Sequence, residues 1–254
     1  MSRVHDSSEP LEATMLLDGP RRLTLTAALA KRVLDLVGAA LLLAALGGVF
    51  LASAVVIKLE STGPVLYRCR RVGRHGREFE MLKFRKMWAD AAGPPLTSVT
   101  DERFTRVGAW LARTKLDELP QLWNTLRGEM SLVGPRPEEP EFVAASAAAF
   151  APVLAVKPGM TGFCQLAFAR ESAVLDRGEP ERRVERYLEH ILPQKLALDG
   201  IYVRRQSLIL DLRILLWTVV CVFFRREVAV HRETGELSLR RRSEEPATGE
   251  QTPA

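Results

Sequence analysis

Residues 36–57 form a run of about 22 positions without a charge, long enough to cross the hydrocarbon core of a bilayer as one helix. No other stretch does this, so the fold must bury that run or give it to lipid. Lys31 and Arg32 precede it, while Lys58, Arg68, Arg70, Arg71 and Arg74 follow it. Basic residues on both flanks define no inside and outside. A hairpin that enters and leaves through one face satisfies both flanks, and Gly47-Gly48 near the middle supplies low helix propensity for a bend. The residues alone leave a spanning anchor, a hairpin and a buried core helix open, with the spanning anchor slightly ahead.

The rest of the chain is ordinary in composition, with 47% apolar and 26% charged residues over 254 positions. Whole-chain disorder, collagen and a polytopic bundle fit poorly. A net charge of +5 calls for an anionic partner, and nucleic acid, a phosphorylated metabolite or an acidic membrane surface qualifies. Cys69, Cys164 and Cys221 form no CxxC pair, which argues for a reducing compartment and against a thiolate metal site.

Residues 65–71 and 78–87 read as a β-hairpin around Gly73-Arg74-His75-Gly76, and residues 105–114 as a short helix. A further helix is expected from Asp117 as its N-cap, with Pro120 third in line, to a stop at Gly128. Residues 141–154 read as one alanine-rich helix, and 181–191 as an amphipathic helix closed by Pro193. Residues 207–224 look like a second span until Asp211 and Arg213 are counted, each costing about 2.5 to 3.5 kcal/mol at mid-bilayer. An interfacial or core helix is the better reading there.

The chemistry concentrates in LDELPQLWN, residues 116–124, where Asp117 and Glu118 stand at an expected helix start. Plain N-terminal capping is the commoner reading of an isolated Asp-Glu pair. Its surroundings point elsewhere. Pro135 and Pro137 bracket Arg136 and fix its backbone, as suits a phosphate clamp. KPGMTG, residues 157–162, sets Lys157 beside Gly159, Thr161 and Gly162, and LKFRKM adds Lys83, Arg85 and Lys86. Cationic and glycine loops around one acidic pair suggest an anionic diphosphate substrate and a divalent metal. His5, His75, His190 and His231 lie outside these motifs, and no GxSxG, Walker loop or HExxH occurs. Without a histidine base, the reacting nucleophiles must already be ionised at pH 7, as carboxylates and phosphate monoesters are.

In their order, KRVLD, GPVLYRCRRVGRHGREFEMLKFRKM, RFTRVG, LDELPQLWNTLRGEMSLVGPRPE and KPGMTG resemble the bacterial sugar transferases, the monotopic phosphoglycosyl transferase superfamily. The resemblance runs from about Lys31 to Thr218. It implies a mostly helical α+β membrane enzyme that uses Mg2+ to move a sugar-1-phosphate from a UDP-sugar to polyprenyl phosphate, releasing UMP. Asp117 then falls on the nucleophile and Glu118 on its magnesium-associated partner. Arg136, Lys83, Arg85, Arg113, Lys157, Gly159, Thr161 and Gly162 become candidate phosphate contacts. Residues 1–30 are expected to be a flexible arm, and 31–58 a re-entrant membrane helix built on Lys31, Arg32, Asp35, Gly47 and Gly48. Residues 59–228 are expected to form a cytosolic catalytic domain on the inner membrane surface, with interfacial amphipathic helices, and 229–254 a polar, disordered tail. Larger members carry further N-terminal spans, so the resemblance implies the minimal catalytic form.

Several positions depart from the family pattern. Gly47-Gly48 replaces the usual Ser-Pro of the hairpin, Ala112 replaces one of two basic residues beside Arg113, Lys86 stands where threonine is usual, and Cys69 where glutamine is usual. Membrane lipid is an expected partner and nucleic acid is not, because stacking aromatics and recognition motifs are missing. A homo-oligomer stays open, and a catalytically silent membrane-surface scaffold is the rival reading.

Overall fold

The computed structural model describes residues 19–93, 96, 101–169, 183–231 and 234–240. Thr24 caps the first helix by accepting the Ala27 N–H at 3.3 Å, so α1 (Leu25–Ala45) begins inside the stretch expected to be a flexible arm. Residues 1–18 of that arm lie outside the described part. α2 (Gly47–Glu60) follows after Leu46, whose φ of −98° and ψ of 8° leave the helical range, and the two helices are bent by 61°. Space does not demand glycine at the bend, since a Cβ on Gly47 or Gly48 would meet nothing within 4 Å. Low helix propensity is what these glycines supply. No single described helix is long and apolar enough to cross a membrane, whereas the bent pair is apolar enough as a unit. Its outer surface carries Leu29, Val33, Leu41, Leu51 and Leu59, all exposed.

The inner face of α1 is polar at its N-terminal end. Lys31, Arg32 and Asp35 lie within one turn, and each meets a protein partner. Two hairpin strands, β1 (Leu66–Val72) and β2 (Glu78–Phe84), pair antiparallel from Leu66↔Phe84 to Val72↔Glu78. They lead into α3 (Arg106–Thr114), capped by the Thr105 hydroxyl. Next comes α4 (Gln121–Arg127), stopped as expected at Gly128, which takes a φ of +85°. β3 (Ser131–Val133) and β4 (Gly159–Thr161) then form a two-stranded parallel ladder.

Lys31 Nζ donates to the Val133 carbonyl at 3.0 Å and pairs with Asp211 at 2.8 Å. Arg32 donates to the Thr125 and Leu126 carbonyls at 2.8 and 2.9 Å, joining the Gly128 N–H in closing the C-terminus of α4. Asp35 is buried and accepts from the Ser131 hydroxyl and the Leu132 N–H at 2.8 and 2.9 Å. The basic pair expected to flank the membrane run instead joins that run to α4 and β3.

Tertiary packing overrides local pattern in several later elements. The alanine-rich stretch breaks at Ser146 into α5 (Pro140–Ala145) and α6 (Ala147–Phe150), because Phe142, Phe150 and Val153 must all enter one cluster with Tyr187 and Ile191. α7 (Phe163–Ala167) joins the main core. Pro193 does not close its helix. α8 (Arg183–Arg186) passes through a π-turn, Tyr187–Ile191, into α9 (Leu192–Arg205), with Pro193 just after the π-turn, whose widened ladder accommodates the missing N–H. The start of that helix at residue 181 lies outside the described residues.

α10 (Leu208–Phe223) buries Asp211 and Ile214 and turns Ile209, Leu212, Leu216, Val219 and Phe223 outward, which agrees with an amphipathic helix. Beyond it, β5 (Val228–Val230) and β6 (Leu237–Leu239) form an antiparallel pair that corrects the expectation of a disordered tail from residue 229. Val228 and Leu237 reach the main core and hold it. Residues 241–254 lie outside the described part.

Asp35→Ala leaves a buried N–H and a buried hydroxyl without their acceptor, so it should lower unfolding free energy by about 3 kcal/mol, with Asp35→Asn costing less. Thermal and denaturant melts in detergent check this.

Candidate active site

Asp117 and Glu118 do not begin a helix. They form a single 3-10 turn, Leu116–Glu118, and α4 starts only after Pro120, whose missing N–H is harmless there. Asp117 therefore caps nothing. Its side chain is buried, and Oδ1 has no hydrogen-bond partner among the described residues. A carboxylate held this way is costly for stability, which separates it from an ordinary cap.

The turn is fixed from both ends. Lys115, the C-cap of α3, takes the left-handed conformation at a φ of +60°, a strained choice for a side-chain-bearing residue, and redirects the chain into the turn. On the other side Asn124 accepts the Leu82 N–H at 3.0 Å and donates to the Glu80 carbonyl at 2.7 Å, locking α4 along the edge of β2. Lys83, next on that strand, reaches the carboxylates.

Lys83 Nζ donates to Glu118 Oε1 at 3.0 Å, and the Arg136 guanidinium stands 3.5 Å from the same oxygen. Lys86 Nζ lies 3.8 Å from Asp117 Oδ2 and over the Phe104 ring. Burial, then the neighbouring Glu118, push the Asp117 carboxyl up, and Lys83, Lys86 and Lys115 offset part of that rise. For Glu118 burial also acts upward, but Lys83, Arg136 and Lys115 outweigh it and hold the carboxyl far below its ordinary range. The pair thus contains one firmly ionised carboxylate and one whose charge depends on its cations. Such a cluster accommodates added negative charge, as a diphosphate brings.

The structure brings Lys83 and Arg136 to the pair, together with Lys86, which LKFRKM contained, and Lys115, which the sequence reading passed over. Lys115 lies only two residues before Asp117, so proximity in sequence was its available signal. Other candidates go elsewhere. Arg85 is buried and donates to the Ser61 and Thr62 carbonyls at 2.9 and 2.6 Å, closing the C-terminus of α2. Arg113 is exposed on α3 and makes no ion pair with the carboxylates. Lys157 Nζ lies against Gly128 and close to Arg32.

Gly159 and Gly162 lie where the chain approaches Gly134 closely. A Cβ on Gly159 would fall 2.0 Å from Gly134 N, and one on Gly162 would fall 2.3 Å from Gly134 O. The Thr161 hydroxyl meets that of Thr218 on α10 at 2.7 Å. Among the described residues no cluster of three or more His, Cys, Asp or Glu could hold a metal. A cavity of about 370 Å³ opens beside Leu43, Phe50, Leu82 and Trp123, and neither Asp117 nor Glu118 borders it.

The chain belongs to the bacterial sugar transferase family, whose model matches residues 26–225. It is 41% identical over 196 residues to a UDP-glucose:undecaprenyl-phosphate glucose-1-phosphate transferase of Caulobacter vibrioides, covering 75% of this chain and 68% of that protein. An undecaprenyl-phosphate glucose phosphotransferase of Komagataeibacter xylinus is 40% identical over 207 residues, 78% of this chain but only 36% of the relative. An exopolysaccharide production protein of Rhizobium leguminosarum is 36% identical over 199 residues, covering 75% and 93%. The chain therefore spans between about a third and nearly all of these relatives' lengths.

Behind Arg136 lies a second buried carboxylate, Asp199 of α9, which accepts the Arg136 main-chain N–H at 3.2 Å. Burial raises its pKa to about 8 against the opposing Arg136 N–H and Lys195. The folded chain then holds a proton that the unfolded chain releases near pH 4. The resulting destabilisation is absent below pH 4, grows as pH rises, and is complete above about 8. Asp199→Asn removes it, so the difference in Tm, variant minus wild type, should increase from pH 5 to pH 8. Melts across that range check the sign.

Proposed function

We propose that this protein transfers a sugar-1-phosphate from a UDP-sugar to undecaprenyl phosphate, releasing UMP, at the cytoplasmic face of a bacterial inner membrane. The observation that carries the reading is the buried Asp117 carboxylate, which caps no helix and pairs with Glu118 among four cations, Lys83, Lys86 and Lys115 acting on Asp117 and Arg136 on Glu118. The names of the family relatives support the same chemistry.

In the first step an Asp117 oxygen attacks the β-phosphorus in line, forming an O–P bond while the bond from that phosphorus to the bridging oxygen breaks. UMP leaves with that oxygen and its electron pair. In the second, an oxygen of the lipid phosphate attacks the same phosphorus, the aspartyl bond breaks, and the carboxylate is restored. Both nucleophiles are anions, so neither step needs a general base. Arg136 and Lys83 stand where charge on the diphosphate requires neutralising, and Lys86 holds the opposite side of Asp117.

Mg2+ fits this cradle on one observation: Asp117 Oδ1 is a buried carboxylate oxygen without a hydrogen-bond partner among the described residues. Glu118 is the residue that would hold the ion, with Asp117 Oδ1 beside it, and two carboxylates suffice because Mg2+ takes its other ligands from phosphate and water. Bound there, it supplies positive charge to the diphosphate.

The bent α1–α2 pair supports a re-entrant segment, with the apolar outer face of α10 resting on the same membrane surface. Tags placed before α1 and after Gly128 should then both be cytoplasmic. Replacing Gly47-Gly48 with Leu-Leu should favour a straight, spanning helix and move the N-terminal tag across.

Asp117→Asn should reduce UMP release by about 10³-fold or more without lowering the Tm, since Asp117 caps no helix and its buried carboxylate costs stability. Wild-type protein given Mg2+ and a labelled UDP-sugar without acceptor should retain hydroxylamine-sensitive label on a peptide containing Asp117. Activity in the Asn variant, or label on another residue, rules out this nucleophile. Absence of UMP release across a panel of UDP-sugars favours the silent scaffold.

A further inference from the structure

The loop that presents Arg136 is held from below by one face of α9. Lys195 and Asp199 lie one turn apart on one face of that helix, both buried, Asp199 meeting the Arg136 main chain and Lys195 meeting Glu138 two residues on. Asp199 Oδ2 accepts the Arg136 N–H at 3.2 Å. Lys195 Nζ stands 3.5 Å from Glu138 Oε1, which also accepts the Tyr187 hydroxyl at 2.7 Å. From the hairpin, Arg71 adds contacts to Glu138 and Glu139 at 3.8 and 3.0 Å. Pro135 and Pro137 have no N–H, so the Arg136 N–H is the one main-chain donor that residues 135–137 can offer α9, beside the Lys195–Glu138 side-chain contact.

The far end of the same residue is the guanidinium 3.5 Å from Glu118. A main-chain bond to Asp199 therefore sets where that charged group stands. Nothing about stability calls for a carboxylate here. Asp199 Oδ1 is buried without a partner among the described residues, and burial works against its ionisation. A group kept at such a cost beside a site is explained by what it orients.

We infer that Asp199 is a positioning residue: by accepting the Arg136 main-chain N–H from α9, it fixes the arginine so that its guanidinium faces Glu118 and the incoming diphosphate. The inference rests on the proposed transfer reaction for its kinetic consequence, but its geometry is independent of it.

The test is a double-mutant cycle on UMP release, in full-length protein in detergent with UDP-glucose and undecaprenyl phosphate. Asp199→Ala should slow turnover by about 10²-fold in the wild-type background, the scale of a displaced charged group. In the Arg136→Ala background the same change should cost about threefold or less, because the arginine it acts through is gone. Asp199→Asn keeps an acceptor oxygen in place and should retain most of the turnover. Asp199→Ser, too short to reach the N–H, should behave like the alanine variant and serves if that variant does not fold. Equal losses in both arginine backgrounds would mean a structural role only and overturn the inference.

Hydrogen exchange of the peptide containing Arg136 gives a readout without activity. Its amide should exchange faster in Asp199→Ala or Asp199→Ser than in wild type or Asp199→Asn, and unchanged protection would overturn the inference. Should the wild type release no UMP from any UDP-sugar, the reaction proposed above fails while the exchange result still decides the role of Asp199.

Discussion

A helix that is apolar over most of its length gains its orientation on a catalytic domain from the few polar groups it carries, and α1 concentrates them beside the Ala39 and Leu43 that enter the main core. Lys31, Arg32 and Asp35 each bond main-chain groups of the catalytic domain: the Thr125 and Leu126 carbonyls ending α4, the N–H of Leu132, and the Val133 carbonyl, which the Tyr202 hydroxyl shares. Burying unpaired main-chain groups is expensive, so these bonds decide which surface of α1 faces protein and which remains for lipid. The same contacts place α4, and α4 places the carboxylate turn directly before it.

Electrostatics at that turn follow from its position. Two adjacent carboxylates largely removed from water repel each other, and four cations compensate: Lys83 on β2, Lys86 beyond it, Lys115 at the end of α3 and Arg136 on the bracketed loop. Each arrives by a different tertiary route. Asn124 fixes the strand edge, the left-handed Lys115 redirects the chain, and α9 supports the arginine loop. In a family whose relatives are named for moving phosphorylated sugars, a cluster that tolerates added anionic charge is the expected device.

Glycine contributes here in two different physical ways. At Gly134 and Gly159 the chains approach so closely that any side chain would collide with backbone. At Gly47-Gly48 there is open space, and the 61° bend draws only on weak helix propensity while Phe50 packs on Phe84 at 5.0 Å to hold the second helix. One motif is thus steric and the other conformational, though both read simply as glycine-rich in the sequence.

The sequence by itself determined the membrane-seeking segment, the β-hairpin, the short helix after Thr105, the stop at Gly128 and the carboxylate pair with Arg136 and Lys83. Those features are written in local periodicity, turn chemistry and motif spacing. Only the tertiary structure decided that Asp117 is buried and uncapped, that Arg85 closes α2, and that the KPGMTG glycines join two strands. It also decided that the alanine-rich helix breaks, that Pro193 lies inside a continuing helix, and that residues 228–230 and 237–239 pair as strands. In each of these the outcome depends on partners distant in sequence, such as Ser61 for Arg85, Gly134 for Gly159 and Tyr187 for Phe142, and burial of those partners outweighs the local preference.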